Sequence, residues 1–139
     1  MSLDLTFFKE DVDFRDIRER ISNLENARRT INDEIDRLED DYSDAKLAWL
    51  NITHNLNKMA EAVGLYEILW PPGSADTVTA TRMIPILEKG IKELESDPEK
   101  YRAFDAPNGW GKYEDFIGFC KDLLYQCEKY PAAVVERSA

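Results

Sequence analysis

The sequence predicts a mostly helical α+β protein: a long coiled-coil-like helix at the N-terminus, then a helical module with a small two- or three-stranded sheet. Three observations lead there. From Phe14 onward, apolar residues recur at alternating spacings of three and four, the period of a heptad repeat. Beyond residue 47, Gly- and Pro-marked breaks leave room only for short segments. Near the C-terminus, Phe116, Ile117, Cys120, Leu123, Leu124 and Cys127 share one broad helical face, the mark of a helix that belongs in a core.

The elements follow in order. "SLDLTFF" alternates Leu3, Leu5 and Phe7 with Asp4 and Thr6 and predicts a short strand. Asp13 is placed to cap a helix, with Asp16 in its first turn. That helix carries Phe14, Ile21, Arg28, Ile35, Tyr42 and Trp49 at heptad position a, and Ile17, Leu24, Ile31, Leu38 and Ala45 at d. Only Arg28 among these is polar, and no Gly or Pro interrupts the run. A two-in-seven stripe is narrower than a helix lying on a globular core displays, so the expected partner is a second copy of the chain. A dimer is favoured, with Phe14, Ile17, Ile21, Leu24, Arg28, Ile31, Ile35, Leu38 and Tyr42 as the oligomerisation seam. In a parallel pair Arg20–Glu25 and Asp41–Lys46 would attract while Glu34–Glu39 would repel, which leaves parallel and antiparallel pairing open. The segment ends near residue 46, or continues as helix through Trp49.

"AWLNITHN" (48–55) has the alternation and β-branched content of a strand. A short helix follows, with Asn55 near its N-cap and Gly64 past its end. Residues 69–77 are turn-rich. "TATRMIPILEKGIKELES" is a helix with Met83 or Ile84, Leu87, Ile91 and Leu94 inward, and Pro85 in its first turn or at a bend. Asp97 and Pro98 cap and open another short helix. Then come the loop "APNGWG", the core helix, Pro131 as its stop, and "AAVVERS" as a last strand. The division is therefore an oligomerisation arm over 1–47, projecting from a compact α+β module over 48–139.

The chain has 28 acidic and 18 basic residues, a net charge of −10. That argues against direct nucleic-acid binding and against docking on anionic membrane. No apolar run is long enough to span a bilayer and no secretory leader is visible, so a cytoplasmic protein is expected. Cys120 and Cys127 are seven residues apart, two turns of one helix and too distant for a disulfide; reduced, buried thiols are expected.

The chemistry-bearing residues are few. His54 is the single histidine, so no His-rich metal site is available, and no metal or cofactor is expected. The acidic stripe Asp33, Asp36, Glu39 reads as the solvated flank of the coiled coil. Neither cysteine has a CxxC partner or a neighbouring His, and no phosphate loop, dinucleotide fingerprint or nucleophile elbow is present. No catalytic residue is assigned. Two clusters remain as candidate ligand or partner contacts: Asn51, Thr53, His54 and Asn55 at a strand-to-helix junction, and Asn108, Trp110 and Tyr113 around "NGWG". The first suits either a small anion or ordinary capping. In the second, Gly109 and Gly111 permit positive φ, and Trp110 is expected to fasten the loop to the core.

Asn51, Thr53, His54, Asn55, Leu87, Glu88, Gly90, Asp97, Pro98, the run Asn108–Gly109–Trp110–Gly111, Tyr113 and Cys127 form an ordered series. In it the chain resembles a group of small, functionally uncharacterised proteins encoded by bacteriophages and bacterial genomes. The resemblance covers residues 50–138 and omits the long helix. It implies a shared module and a phage or mobile-element origin, and it lends no reaction. The expected function is accordingly a non-enzymatic acidic interaction protein, self-associating and acting on a host protein. A nucleic-acid-mimicking inhibitor, and a small-molecule binder or enzyme with a pocket near His54 and Trp110, are the alternatives.

Overall fold

Asp13 opens the first helix as the sequence leads one to expect: its Oδ1 accepts from the Asp16 N–H at 3.1 Å. The helix, α1 (Phe14–Ala45), is 32 residues long, which at about 1.5 Å per residue gives roughly 48 Å. It stops at Ala45, where Lys46 turns into extended backbone, so it does not run on through Trp49. The computed structural model describes residues 2–72 and 77–138 and divides between Leu47 and Ala48 into two units.

In the N-terminal unit, residues 3–7 do not form the expected strand. Alternation selects a face, but a strand also requires a partner edge for its N–H and C=O groups. Leu3, Leu5 and Phe7 find none and remain exposed. Phe8 does pack: its ring stacks on Phe14 at 4.0 Å between centroids. No residue of α1 is buried.

The C-terminal unit begins with a second correction. Leu50 and Ile52 pack against the core, yet residues 50–53 form no strand. The alternation reported burial of one side correctly and pairing incorrectly. A 3-10 turn over His54–Leu56 leads into α2 (Asn57–Ala62), and the cap is Thr53 rather than Asn55: its Oγ1 accepts from the Asn55 N–H. Gly64, at φ +75°, ends this stretch. A short helix that the sequence reading missed, α3 (Tyr66–Leu69), comes next. The turn expected over residues 69–77 lies partly outside the described residues.

β1 (Thr77–Thr79) was also unforeseen, being three residues at the end of a turn-rich stretch. It pairs antiparallel with β2 (Val134–Glu136), with Val78 opposite Val135. Among the described residues the sheet is therefore two-stranded, built from the expected last strand and an unexpected partner. Val78 and Val135 face the core and their neighbours face out, so alternation holds here.

α4 (Ala80–Ser96) starts directly from β1. Without a side-chain cap, its first two N–H groups donate to the carbonyls of Ala133 and Pro131, both at 2.9 Å. The Thr81 hydroxyl adds a bond to the same Pro131 carbonyl at 2.6 Å. The segment before β2 thus satisfies groups that every helix start leaves open. Pro85 falls in the second turn, where it removes one intrahelical bond, and the helix continues through it. α5 (Pro98–Arg102) is capped by Asp97, whose Oδ1 accepts from the Lys100 N–H. α6 (Tyr113–Lys129) packs on α4. Leu87, Ile91 and Leu94 of α4 and Phe116, Cys120, Leu123 and Cys127 of α6 join Leu56, Met59 and Leu65 in one core.

Arg137 closes this unit. Its guanidinium donates to the Ile68 carbonyl at 3.1 Å and to the Thr77 carbonyl at 3.0 Å. One side chain thereby ties the C-terminal segment to α3 and to β1.

Candidate functional site

The two clusters singled out in the sequence lie together. The "NGWG" loop is shaped first by its own backbone. Ala106 N–H donates to the Gly111 carbonyl at 2.9 Å, and Gly109 N–H to the Ala106 carbonyl at 3.0 Å. Asn108 Oδ1 accepts from the Trp110 N–H at 2.9 Å, an Asx turn that folds the side chain onto the chain two residues on. Gly109 has φ +75° and Gly111 φ +122°, both outside the range that L side chains occupy comfortably.

The loop then meets residues 53–56. Asn55 Nδ2 donates to the Trp110 carbonyl at 2.9 Å. Gly111 is buried against the Thr53 methyl and the Leu56 side chain; a Cβ there would stand 3.0 Å from the first and 3.1 Å from the second. The fastening is therefore done by backbone and by glycine. Trp110 itself is 74% exposed, so the expectation that its ring anchors the loop is wrong. Main-chain hydrogen bonding to Asn55 and the close approach of Gly111 hold the loop without the ring.

Tyr113 goes the other way. It is buried, its hydroxyl donates to the Leu94 carbonyl at 2.8 Å, and its N–H donates to Asp105 Oδ1 at 2.7 Å. Burial raises its pKa above the ordinary phenol value. A hydroxyl spent inside the core presents nothing to a ligand. Beside it, Arg102 lies 5.1 Å from the Tyr113 ring centroid and donates to Glu114 Oε1 at 3.0 Å. Glu114 is held below the usual carboxylate range, first by its own backbone N–H and then by Arg102.

His54 and Asn51 are exposed. The imidazole lies 5.8 Å from the Trp70 ring, and Trp70 stacks on Tyr66 at 5.8 Å. The i, i+4 spacing of Tyr66 and Trp70 is the sequence signal for this contact. The structure thus brings Thr53, Asn55, Asn108 and Trp110 together, with His54 next in chain beginning a surface aromatic row with Trp70 and Tyr66.

A groove of about 700 Å³ lies elsewhere on this unit, lined by Val63, Ile68, Val78 and Ile86 with Arg82 and Lys89 among its polar groups. None of the seven candidate contact residues lines it. Among the described residues no group of three or more His, Cys, Asp or Glu side chains could hold a metal ion. Cys120 and Cys127 are free and buried, and burial pushes the Cys120 thiol up to about 12. A protonated, enclosed thiol is a poor nucleophile. No helix of the described residues is long and apolar enough to cross a membrane.

No family model matches the chain, and no curated protein or solved structure matches it.

Proposed function

We propose that this protein is a non-enzymatic acidic interaction protein that self-associates through α1 and presents the Asn55–Trp110 face of its C-terminal unit to a partner protein. The observation that carries the reading is the bare stripe of α1. Ile17, Ile21, Leu24, Ile31, Ile35, Leu38 and Tyr42 are between 46% and 70% exposed. Isolated exposed apolar residues are ordinary, but a continuous stripe at heptad spacing marks an interface. A second copy would cover it by knobs-into-holes packing. The exposed Trp110 ring, held by hydrogen bonds through its main chain, is the kind of rigid aromatic that serves as an interface anchor.

The resemblance over residues 50–138 supports placing the protein among phage or mobile-element factors, with a host cytoplasmic protein as the partner. The net charge of −10 favours a partner with a basic surface.

Sedimentation equilibrium of the full chain, and of a chain beginning at Ala48, tests the first half. The full chain is expected to sediment as a dimer and the shorter one as a monomer; two monomers would overturn the reading. Pull-down from host lysate with the wild type and with Trp110→Ala tests the second half. A specific partner retained equally by both would overturn the assigned face.

A further inference from the structure

The ends of α1 and the charge along it determine how two copies would meet. Residues 14–29 carry five arginines (Arg15, Arg18, Arg20, Arg28, Arg29) against Asp16, Glu19 and Glu25, for a net of +2. Residues 30–45 carry seven acids, from Asp33 to Asp44, against Arg37 alone, for a net of −6. At the C-terminal end this opposes the helix macrodipole, which prefers bases in the last turn, where α1 has none, whereas Asp16 suits the first turn. Its internal ion pairs, Arg20–Asp16 and Arg37–Glu34, are exposed and contribute little. An acidic end with no base of its own gains from a basic surface laid along it.

We infer that α1 pairs antiparallel with α1 of a second copy, overlapping end to end, so that the basic half of each lies along the acidic half of the other. This rests on the self-association proposed above and specifies its geometry. Because the helix runs from Phe14 to Ala45, full overlap sets Phe14 opposite Ala45 of the second copy. Every following a residue then meets a d residue: Ile17 with Tyr42, Ile21 with Leu38, Leu24 with Ile35, and Arg28 with Ile31. The bulkiest seam residues, Phe14 and Tyr42, face Ala45 and Ile17 rather than themselves.

The flanks agree. In this register Arg18 lies beside Glu39 of the second copy and Arg20 beside Asp41, each occurring twice by symmetry. The remaining flanking contacts, Glu25 with Asn32 and Ala27 with Glu34, are neutral. A parallel pair would set Arg28 against Arg28 in one layer and Glu34 against Glu39 on the flank, with the two acidic halves side by side. The antiparallel pair also brings arginines to each acidic C-terminal end, where α1 supplies none of its own.

The test combines sedimentation with disulfide trapping in the full chain. An equimolar mixture of Leu24→Cys and Ile35→Cys chains is mildly oxidised and mapped by non-reducing peptide mass spectrometry; the native thiols are buried. A link between positions 24 and 35 is expected, with none between two copies of position 24. In a parallel pair positions 24 and 35 are offset by 11 residues, about 16 Å, beyond disulfide reach. A dimer linked 24 to 24, or a dimer showing no 24-to-35 link, overturns the antiparallel register and leaves self-association standing. An unmodified chain that sediments as a monomer overturns both, and an assembly larger than a dimer overturns the pair.

A charge exchange supplies a second readout. Arg18→Glu with Arg20→Glu is expected to raise the dimer dissociation constant roughly a hundredfold, although acids near the N-terminus favour the helix itself. Adding Glu39→Arg and Asp41→Arg restores pairing to within about tenfold of wild type. Failure to restore overturns the register, since in a parallel pair the attraction gained between positions 34 and 39 is offset by repulsion of position 41 with Lys46, and the repulsion with Glu25 remains.

Discussion

The Trp110 ring stands in solvent and Gly111 lies against Thr53 and Leu56, so substitutions at the two positions separate recognition from structure. Trp110→Ala is expected to change unfolding free energy by less than about 0.5 kcal/mol, as an exposed side chain does. Gly111→Ala combines a positive φ with contacts near 3 Å to Thr53 and Leu56, and is expected to cost roughly 1–3 kcal/mol. Urea denaturation of both variants checks the pair. The buried thiols give a pH dependence. The Cys120 pKa is raised from 9.0 to about 12 by burial, and Cys127 and Tyr113 are raised for the same reason. A raised acid keeps its proton longer when folded, so the stability it contributes is complete below about pH 9 and is lost as pH climbs toward 12. Melting temperature should fall across that interval, and Cys120→Ala should flatten the fall while lowering stability at neutral pH.

Among the elements, the helices with local signals of their own were legible, and of the strands only β2 was. Asp13 before Phe14, Asp97 before Pro98, and the apolar faces of α4 and α6 are statements about a few consecutive residues, and the structure agrees with each. Leu3–Phe7 and Leu50–Thr53 offered equal alternation, but a strand exists only when another strand pairs with it, and that partner lies far away in sequence. β1 found one in β2, some 55 residues on; the two better-looking segments found none. α3 was missed because four residues carry too little period to read. Packing between elements was equally hidden. Gly90 of α4 is buried against Leu65, whose Cγ would stand 2.6 Å from an added Cβ. Helix propensity alone favours alanine there by about 1 kcal/mol. Leu65 is enclosed and cannot yield freely, so Gly90→Ala is expected to destabilise by roughly 1–3 kcal/mol in urea unfolding. A neutral or stabilising result would mean that Leu65 repacks.

At the scale of the whole molecule, the division between Leu47 and Ala48 separates a helix that buries nothing of its own from a unit with a complete core. Their stabilities should separate too. A chain of residues 48–139 is expected to melt cooperatively at a temperature independent of protein concentration, because its core is intramolecular. The helical signal of α1 should depend on concentration, because its apolar stripe is covered only by association. Salt should act on the second and hardly on the first: screening weakens the arginine–carboxylate flanks, so dimer dissociation shifts to higher protein concentration as ionic strength rises. Circular dichroism at two concentrations and two salt levels distinguishes these behaviours.

The sequence by itself determined the heptad stripe, the caps at Asp13 and Asp97, the core faces of α4 and α6, and the acidic balance, because each depends on residues within a few turns of one another. Only the tertiary structure decided which segments pair as strands, that Asn55 binds the main chain of Trp110, and that the Trp110 ring stands in solvent. Those outcomes depend on contacts between residues more than fifty positions apart, and no local periodicity encodes which distant backbone will come within hydrogen-bonding reach.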